Sequence, residues 1–180
     1  MDSIDTLDEL IKILKLSDPS NYSRVARRMK LPKSEFEQFC HWKSDGYSRN
    51  CIERTEVFEL ILICWNSGAS TPVHAHDEQR CWVYQVDGKT NEVRYKQNEV
   101  GDLVSSHRAE LTPGSLSYMH DEMGYHALVN KSETTAMSLH LYVSPIDSCQ
   151  VFDTAAAAFK NTELNYHSYK GELAETSISK

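Results

Sequence analysis

Gly68-Ala69-Ser70-Thr71-Pro72-Val73-His74-Ala75-His76-Asp77-Glu78-Gln79-Arg80-Cys81 is the stretch on which the reading of this chain turns. If its middle is a strand, His74 and His76 project to one face and Ala75 to the other. Two imidazoles on one face make one edge of a metal site, and a third from a neighbouring segment completes it. Imidazole is the commonest metal ligand near neutral pH and suits iron, zinc, copper and nickel. Candidates for the third place are His107, His120 and His126.

Working outward, the flanks read as short strands. Residues 57–65 are a strongly apolar run closed by Asn66-Ser67-Gly68. Residues 81–86 and 90–96 are two more, and the intervening Asp87-Gly88 predicts a hairpin. Gly101-Asp102 and Pro113-Gly114 punctuate further strands, and residues 137–143 form the last clear one. There Ser138, His140 and Tyr142 share one face, while Leu139, Leu141 and Val143 share the other. A polar stripe facing a barrel interior is costly unless its groups are satisfied, so it suggests a site. A weaker strand is expected over 164–169, and the alanine run 155–158 predicts a turn of helix.

The first 45 or so residues read as helical. Ile4, Leu7, Leu10, Ile11 and Leu14 recur at helical spacing behind a Ser3 or Asp2 cap. Asp18-Pro19-Ser20-Asn21 breaks the chain before a second helix carrying Tyr22, Val25, Ala26 and Met29. Pro32 suits the first turn of a third, with Phe36, Phe39 and Cys40 on its apolar face. Many short strands behind such a segment predict a mainly β fold, a small barrel or jelly roll. The expected division is one domain over 1–180: a helical segment 1–45, a barrel 46–170 and a polar, frayed tail 171–180.

The 180 residues suffice for one core, and the formal charge of −7 excludes a general nucleic-acid binder. No apolar run reaches transmembrane length, and the acidic start is unlike a signal peptide, so no membrane role is expected. Five cysteines without framework spacing predict free thiols in the cytoplasm. Cys40, Cys51 and Cys64 are read as core thiols and His41 and His167 as ordinary residues.

The spacing Gly68-x5-His74-x-His76-x4-Cys81-x6-Gly88 resembles the first motif of the cupin superfamily, with cysteine where many cupins place a glutamate ligand. Gly124-Tyr125-His126-x3-Asn130 resembles the second, one residue short and without its proline, and favours His126 over His107 and His120. Together with Tyr47-Ser48-Arg49-Asn50, Ile63-Cys64-Trp65, Ser138-Leu139-His140-Leu141-Tyr142, Asp147-Ser148-Cys149 and Phe152-Asp153, the pattern is similar to the cysteine dioxygenase family of thiol dioxygenases.

That resemblance implies Fe(II) on His74, His76 and His126, with L-cysteine and O2 as reactants and cysteine sulfinic acid as product. Three neutral ligands leave the ion its full charge, which favours an anionic thiolate. It implies a cupin barrel acting as a monomer in cysteine catabolism and taurine biosynthesis. Arg49 resembles the clamp for the substrate carboxylate, which a planar guanidinium can hold bidentately, and Tyr47 resembles its neighbour in the pocket. Tyr142 resembles the active-site tyrosine, with His140 and Ser138 as the chain that orients it. Cys81 resembles the cysteine that cross-links to that tyrosine by a thioether. Trp65, Cys149 and Leu164 match positions lining or flanking the pocket. Two departures stand out: Val143-Ser144-Pro145 replaces the usual Ser-Pro-Pro, and Ala75 an aspartate. The alternatives are a dioxygenase for 3-mercaptopropionate or cysteamine, and a non-catalytic cupin that binds a metal or small ligand.

Overall fold

The computed structural model describes residues 2–174. Helix α1 (Leu7–Leu16) buries Leu7, Leu10 and Leu14. Its cap is Thr6, whose hydroxyl accepts from the Glu9 N–H at 3.2 Å, rather than Ser3 or Asp2. Ile4 stands outside the helix because its backbone is bridged to Met29. A 3-10 turn (Pro19–Asn21), capped by Asp18, leads into the short α2 (Tyr22–Ala26). The third expected helix is instead a 3-10 helix, Lys33–Phe39, with Pro32 as its cap. Buried Phe36 and half-buried Phe39 lie three apart, which a three-residue turn aligns on one side.

Among the described residues twelve strands follow: β1 (Tyr47–Arg54), β2 (Phe58–Trp65), β3 (Cys81–Asp87), β4 (Thr90–Gln97), β5 (Leu103–Leu111), β6 (Leu116–Met119), β7 (Tyr125–Val129), β8 (Ala136–Val143), β9 (Ser148–Asp153), β10 (Ala158–Glu163), β11 (Ser168–Tyr169) and β12 (Glu172–Leu173). The large sheet runs β12-β11-β1-β2-β8-β3-β6, and the smaller sheets are β5-β4-β7 and β10-β9.

Strand periodicity splits the core in two. Phe58, Leu60, Leu62 and Cys64 of β2, with Met137, Leu139 and Leu141 of β8, pack against the helical segment. Ile61, Ile63 and Trp65 face the other way, meeting Leu128 of β7 and Cys149 of β9 inside the barrel. Both faces of β2 are therefore covered, which is why the run reads as continuously apolar: all eight of its residues are buried. The stripe Ser138, His140 and Tyr142 shares the barrel-facing side of β8 with Ala136, and all three residues are buried.

Several expected elements differ. β3 and β4 do not form a hairpin: β3 pairs with β6 and β8, β4 with β5 and β7. The chain changes sheet at Gly88, where φ is +63° and a Cβ would lie 2.6 Å from the Thr135 carbonyl oxygen. Only glycine fits that crossing. The alanine run forms the tight turn between β9 and β10, with Asp153 Oδ1 accepting from the Ala155 and Ala156 N–H groups, rather than a turn of helix. The strand expected over 164–169 survives only as β11; the Leu164 N–H bonds to the Asp147 carbonyl, one rung beyond the β9–β10 ladder, and the His167 N–H to that of Arg49. Of the expected tail, Glu172–Leu173 pair with β11, and residues 175–180 lie outside the described residues. No helix among the described residues is long and apolar enough to cross a membrane.

Candidate metal centre

His74 and His76 converge, though not from a strand. His74 makes isolated bridges to His126 and Val151, and His76 follows in irregular chain. Pro72 has no N–H to give a ladder, and Asp77 and Glu78 are left-handed, with φ of 52° and 61°. Asp121 takes over the donors of this turn: its carboxylate accepts from the His76 and Glu78 N–H groups, both at 2.7 Å. His126 lies on β7, after Gly124, whose φ of +102° and close approach to the Tyr95 carbonyl exclude a side chain. His74 N–H bonds to the His126 carbonyl at 2.9 Å and His126 N–H returns to His74 at 3.1 Å.

One ring nitrogen from each of His74, His76 and His126 lies within 4.8 Å of the other two. The remaining nitrogens fix the tautomers. His74 Nδ1 is 3.0 Å from the Pro72 carbonyl, so it is the donor there and Nε2 is left with its lone pair. His126 Nδ1 is 2.8 Å from Glu92 Oε1 and donates to it. Burial pushes the Glu92 carboxyl up, but the bond from His126, the Ser117 hydroxyl at 2.7 Å and the Arg94 charge outweigh it and hold the group at about 2. His76 has neither ring nitrogen bonded, although both are buried. Burial, then its imidazole neighbours, pushes His74 well below the usual histidine range. Burial pulls His76 down to about 4 against the opposing pull of Asp121. His74 and His76 held neutral, with both His76 nitrogens buried and unpartnered beside His126, fit a metal cofactor, since metal ligation requires the deprotonated ring.

The triad opens on a small cavity with a free volume of about 40 Å³, room for a few water-sized groups. Tyr47, Arg49, His140, Tyr142, Cys149 and Leu164 line it beside His74 and His76. Arg49 presents Nε and Nη2, both buried and without a hydrogen-bond partner. Trp65 stands behind the lining, packed on Tyr47 with ring centroids 5.2 Å apart.

Its indole N–H bonds to Ser138 Oγ at 2.9 Å, and Ser138 Oγ is 2.9 Å from His140 Nε2. An indole N–H can only donate, so the Ser138 hydroxyl accepts from Trp65 and is shared with His140 Nε2. The His140 ring stacks along Tyr142 at 6.2 Å between centroids. Tyr142 is the register partner of Cys81 on one side and Glu59 on the other. Its side chain packs with Cys81 in the barrel core. Burial drives both groups toward their neutral forms, Tyr142 well above the usual phenol range.

His120 stays outside the triad; it caps the 3-10 turn Asp121–Met123. His107 lies on the exposed part of β5. Glu92, Asp121 and Glu59 were not legible as site residues. Glu92 sits in Thr90-Asn91-Glu92-Val93-Arg94, where alternating charge reads as a solvated face although Thr90 and Glu92 are buried. Asp121 carries no local signal. Glu59 interrupts an apolar run at an inward position, which is a signal of a buried charge.

The chain is 27% identical over 176 residues to the human protein named cysteine dioxygenase type 1, covering 92% of this chain and 88% of that one. To the Danio rerio protein of that name it is 27% identical over 186 residues, covering 97% and 92%. Among solved structures it is similar to a sugar phosphate isomerase from a cupin superfamily of Silicibacter pomeroyi, with 19% identity, 73% and 82% coverage and a TM-score of 0.46. The family is settled by a match along most of the chain: the model for cysteine dioxygenase type I fits residues 3–155, and the chain belongs to that family.

Proposed function

We propose that this protein oxidises L-cysteine with O2 to cysteine sulfinic acid, using Fe(II) held by His74, His76 and His126. The observation that carries the reading is Arg49: it lines the same small cavity as His74 and His76, and two of its nitrogens are buried without a partner. One end of the cavity suits a metal and a thiolate, the other a carboxylate. Bound Fe(II) would supply affinity for the thiolate and activation of dioxygen. Both atoms of O2 end on sulfur and take all the electrons that sulfur gives up, while the thiol proton leaves to solvent. No second reductant is required.

The protein residues bind, orient and exclude water. Arg49 meets the carboxylate, which is costly to bury without a charged partner. Tyr47 packs beside it and limits the pocket. Tyr142, kept protonated by burial, offers a hydroxyl donor toward the cavity, and the chain Trp65–Ser138–His140 fixes the ring it stacks on. Cys81, bonded to Tyr142 by a thioether, would hold the phenol in one position. Cys149 and Leu164 close the apolar side.

We read the active unit as a single chain, since every group named lies on one chain, and place it in the cytoplasm, where the free thiol that Cys81 requires is maintained. Oxygen uptake by the iron-loaded protein with cysteine, followed by product identification, tests the reading. Stoichiometric sulfinate is expected; a preference for 3-mercaptopropionate or cysteamine, or no uptake, would replace it with one of the alternatives.

A further inference from the structure

Glu59 is a charged residue in the middle of a buried strand, and it is fully buried itself. It faces into the barrel, opposite Tyr142 in the register of β2 and β8, but stands behind the cavity lining rather than in it. Three donors converge on its carboxylate. The Tyr166 hydroxyl and Arg54 Nη1 reach Oε1, the latter at 3.3 Å, and the Ile146 N–H reaches Oε2 at 3.4 Å. Arg54 continues the network, forking onto Asp147 with both contacts at 2.8 Å. The Asp147 carbonyl in turn accepts the Leu164 N–H at 2.8 Å.

Ile146 and Leu164 are both wall residues of the cavity. Each belongs to irregular chain, 144–147 and 164–167, held at its edges by the Ser144 N–H on the Val57 carbonyl at 2.9 Å, the Leu164 N–H on the Asp147 carbonyl at 2.8 Å and the His167 N–H on the Arg49 carbonyl at 2.7 Å. Ser144, at the start of the first segment, is left-handed with φ of 65°. Between those edges the side-chain anchors are Glu59, which takes the Ile146 N–H and the Tyr166 hydroxyl, and Arg54, which forks onto Asp147.

We propose that Glu59 is a specificity-determining positioning residue that holds the Ile146–Leu164 wall against the cavity and so excludes thiols one methylene longer than cysteine. The inference rests on the reading of cysteine as substrate and adds the means by which its length is measured. A wall held by three converging donors has little freedom to retreat, and the cavity is small, with a free volume of about 40 Å³. Loosened, it would admit the longer chain.

The test uses Glu59→Gln and Tyr166→Phe in the iron-loaded full chain. Glutamine can keep its carbonyl oxygen toward Arg54 and Tyr166, but its amide then faces the Ile146 N–H, donor against donor. Tyr166→Phe removes the other arm and leaves Glu59 intact. The readout is the ratio of kcat/KM for cysteine to that for homocysteine, determined on one sample of each variant. That ratio cancels the fraction of active protein, so a general loss of stability does not move it. It is expected to fall about tenfold in each variant, mainly through a higher kcat/KM for homocysteine, with iron content unchanged. If Glu59→Gln does not fold, Tyr166→Phe decides alone. An unmoved ratio in every variant that folds overturns the role of Glu59. Absence of cysteine turnover in the parent protein overturns the function itself.

Discussion

Glu92 and His126 share a hydrogen bond of 2.8 Å with both side chains sealed from solvent. The carboxylate fixes which nitrogen of the ring carries the proton and stops the imidazole from turning. Glu92→Gln is expected to lower metal affinity by about ten- to a hundredfold, measured by competition with a chelator and independent of any assay of turnover. Unchanged affinity would show that β7 alone orients the ring.

Asp121 acts on the backbone rather than on a ring. Its two oxygens hold the His76 and Glu78 N–H groups across a turn with two left-handed residues. Hydrogen bonds to a charged group contribute about 1.5–3 kcal/mol. Asp121→Ala is expected to lower thermal stability accordingly and to weaken the metal more than it changes helix content. Calorimetry of the metal-free and metal-loaded forms separates the two effects, and equal losses in both would assign Asp121 to folding alone.

Cys81 and Tyr142 face each other across β3 and β8. After turnover with iron and oxygen, peptide mapping should recover the two as one linked peptide in part of the protein. Cys81→Ala should stay active but slower, since the bond positions the phenol. Turned-over parent protein without any linked peptide would remove this role from Cys81.

For Arg49, the comparison of two thiols is more telling than either alone. Arg49→Ala should reduce productive use of cysteine by about ten- to a hundredfold. Cysteamine, which has no carboxylate, should lose little, and iron content should stay normal. Cysteine turnover equal to that of the parent would place the carboxylate elsewhere.

Thiol reactivity offers a check away from the metal. A thiolate is the reactive form, so a raised pKa slows alkylation and a lowered one speeds it. Burial, then the Glu59 charge, pushes Cys51 up to about 12, whereas hydrogen bonding to Cys64 draws half-buried Cys40 down. At pH 8 the folded protein should be labelled at Cys40 well before Cys51; the reverse order by mass spectrometry would contradict the packing of β1.

The strands β2, β3 and β8 were legible because each is an apolar or alternating run between turn residues, and the three histidines because two of them share one short motif. What stayed hidden has physical causes. Glu92 and Asp121 are charges, which a sequence places outside unless their partners are known, and those partners are distant along the chain. Asp87-Gly88 has turn chemistry, but the same glycine serves a change of sheet as well as a hairpin. The alanine run favours helix locally, yet Asp153 captures its N–H groups and makes a turn.

Because β2 is covered on both sides, its positions fall into two populations that answer to different demands. Residues 58, 60, 62 and 64 bear on the helical segment, and 59, 61, 63 and 65 on the chamber. A saturation scan along this strand should beat in twos, with abundance failing at one set of positions and thiol selectivity drifting at the other. The N-terminal helices would then act as ballast for the chemistry, felt through a wall one strand thick.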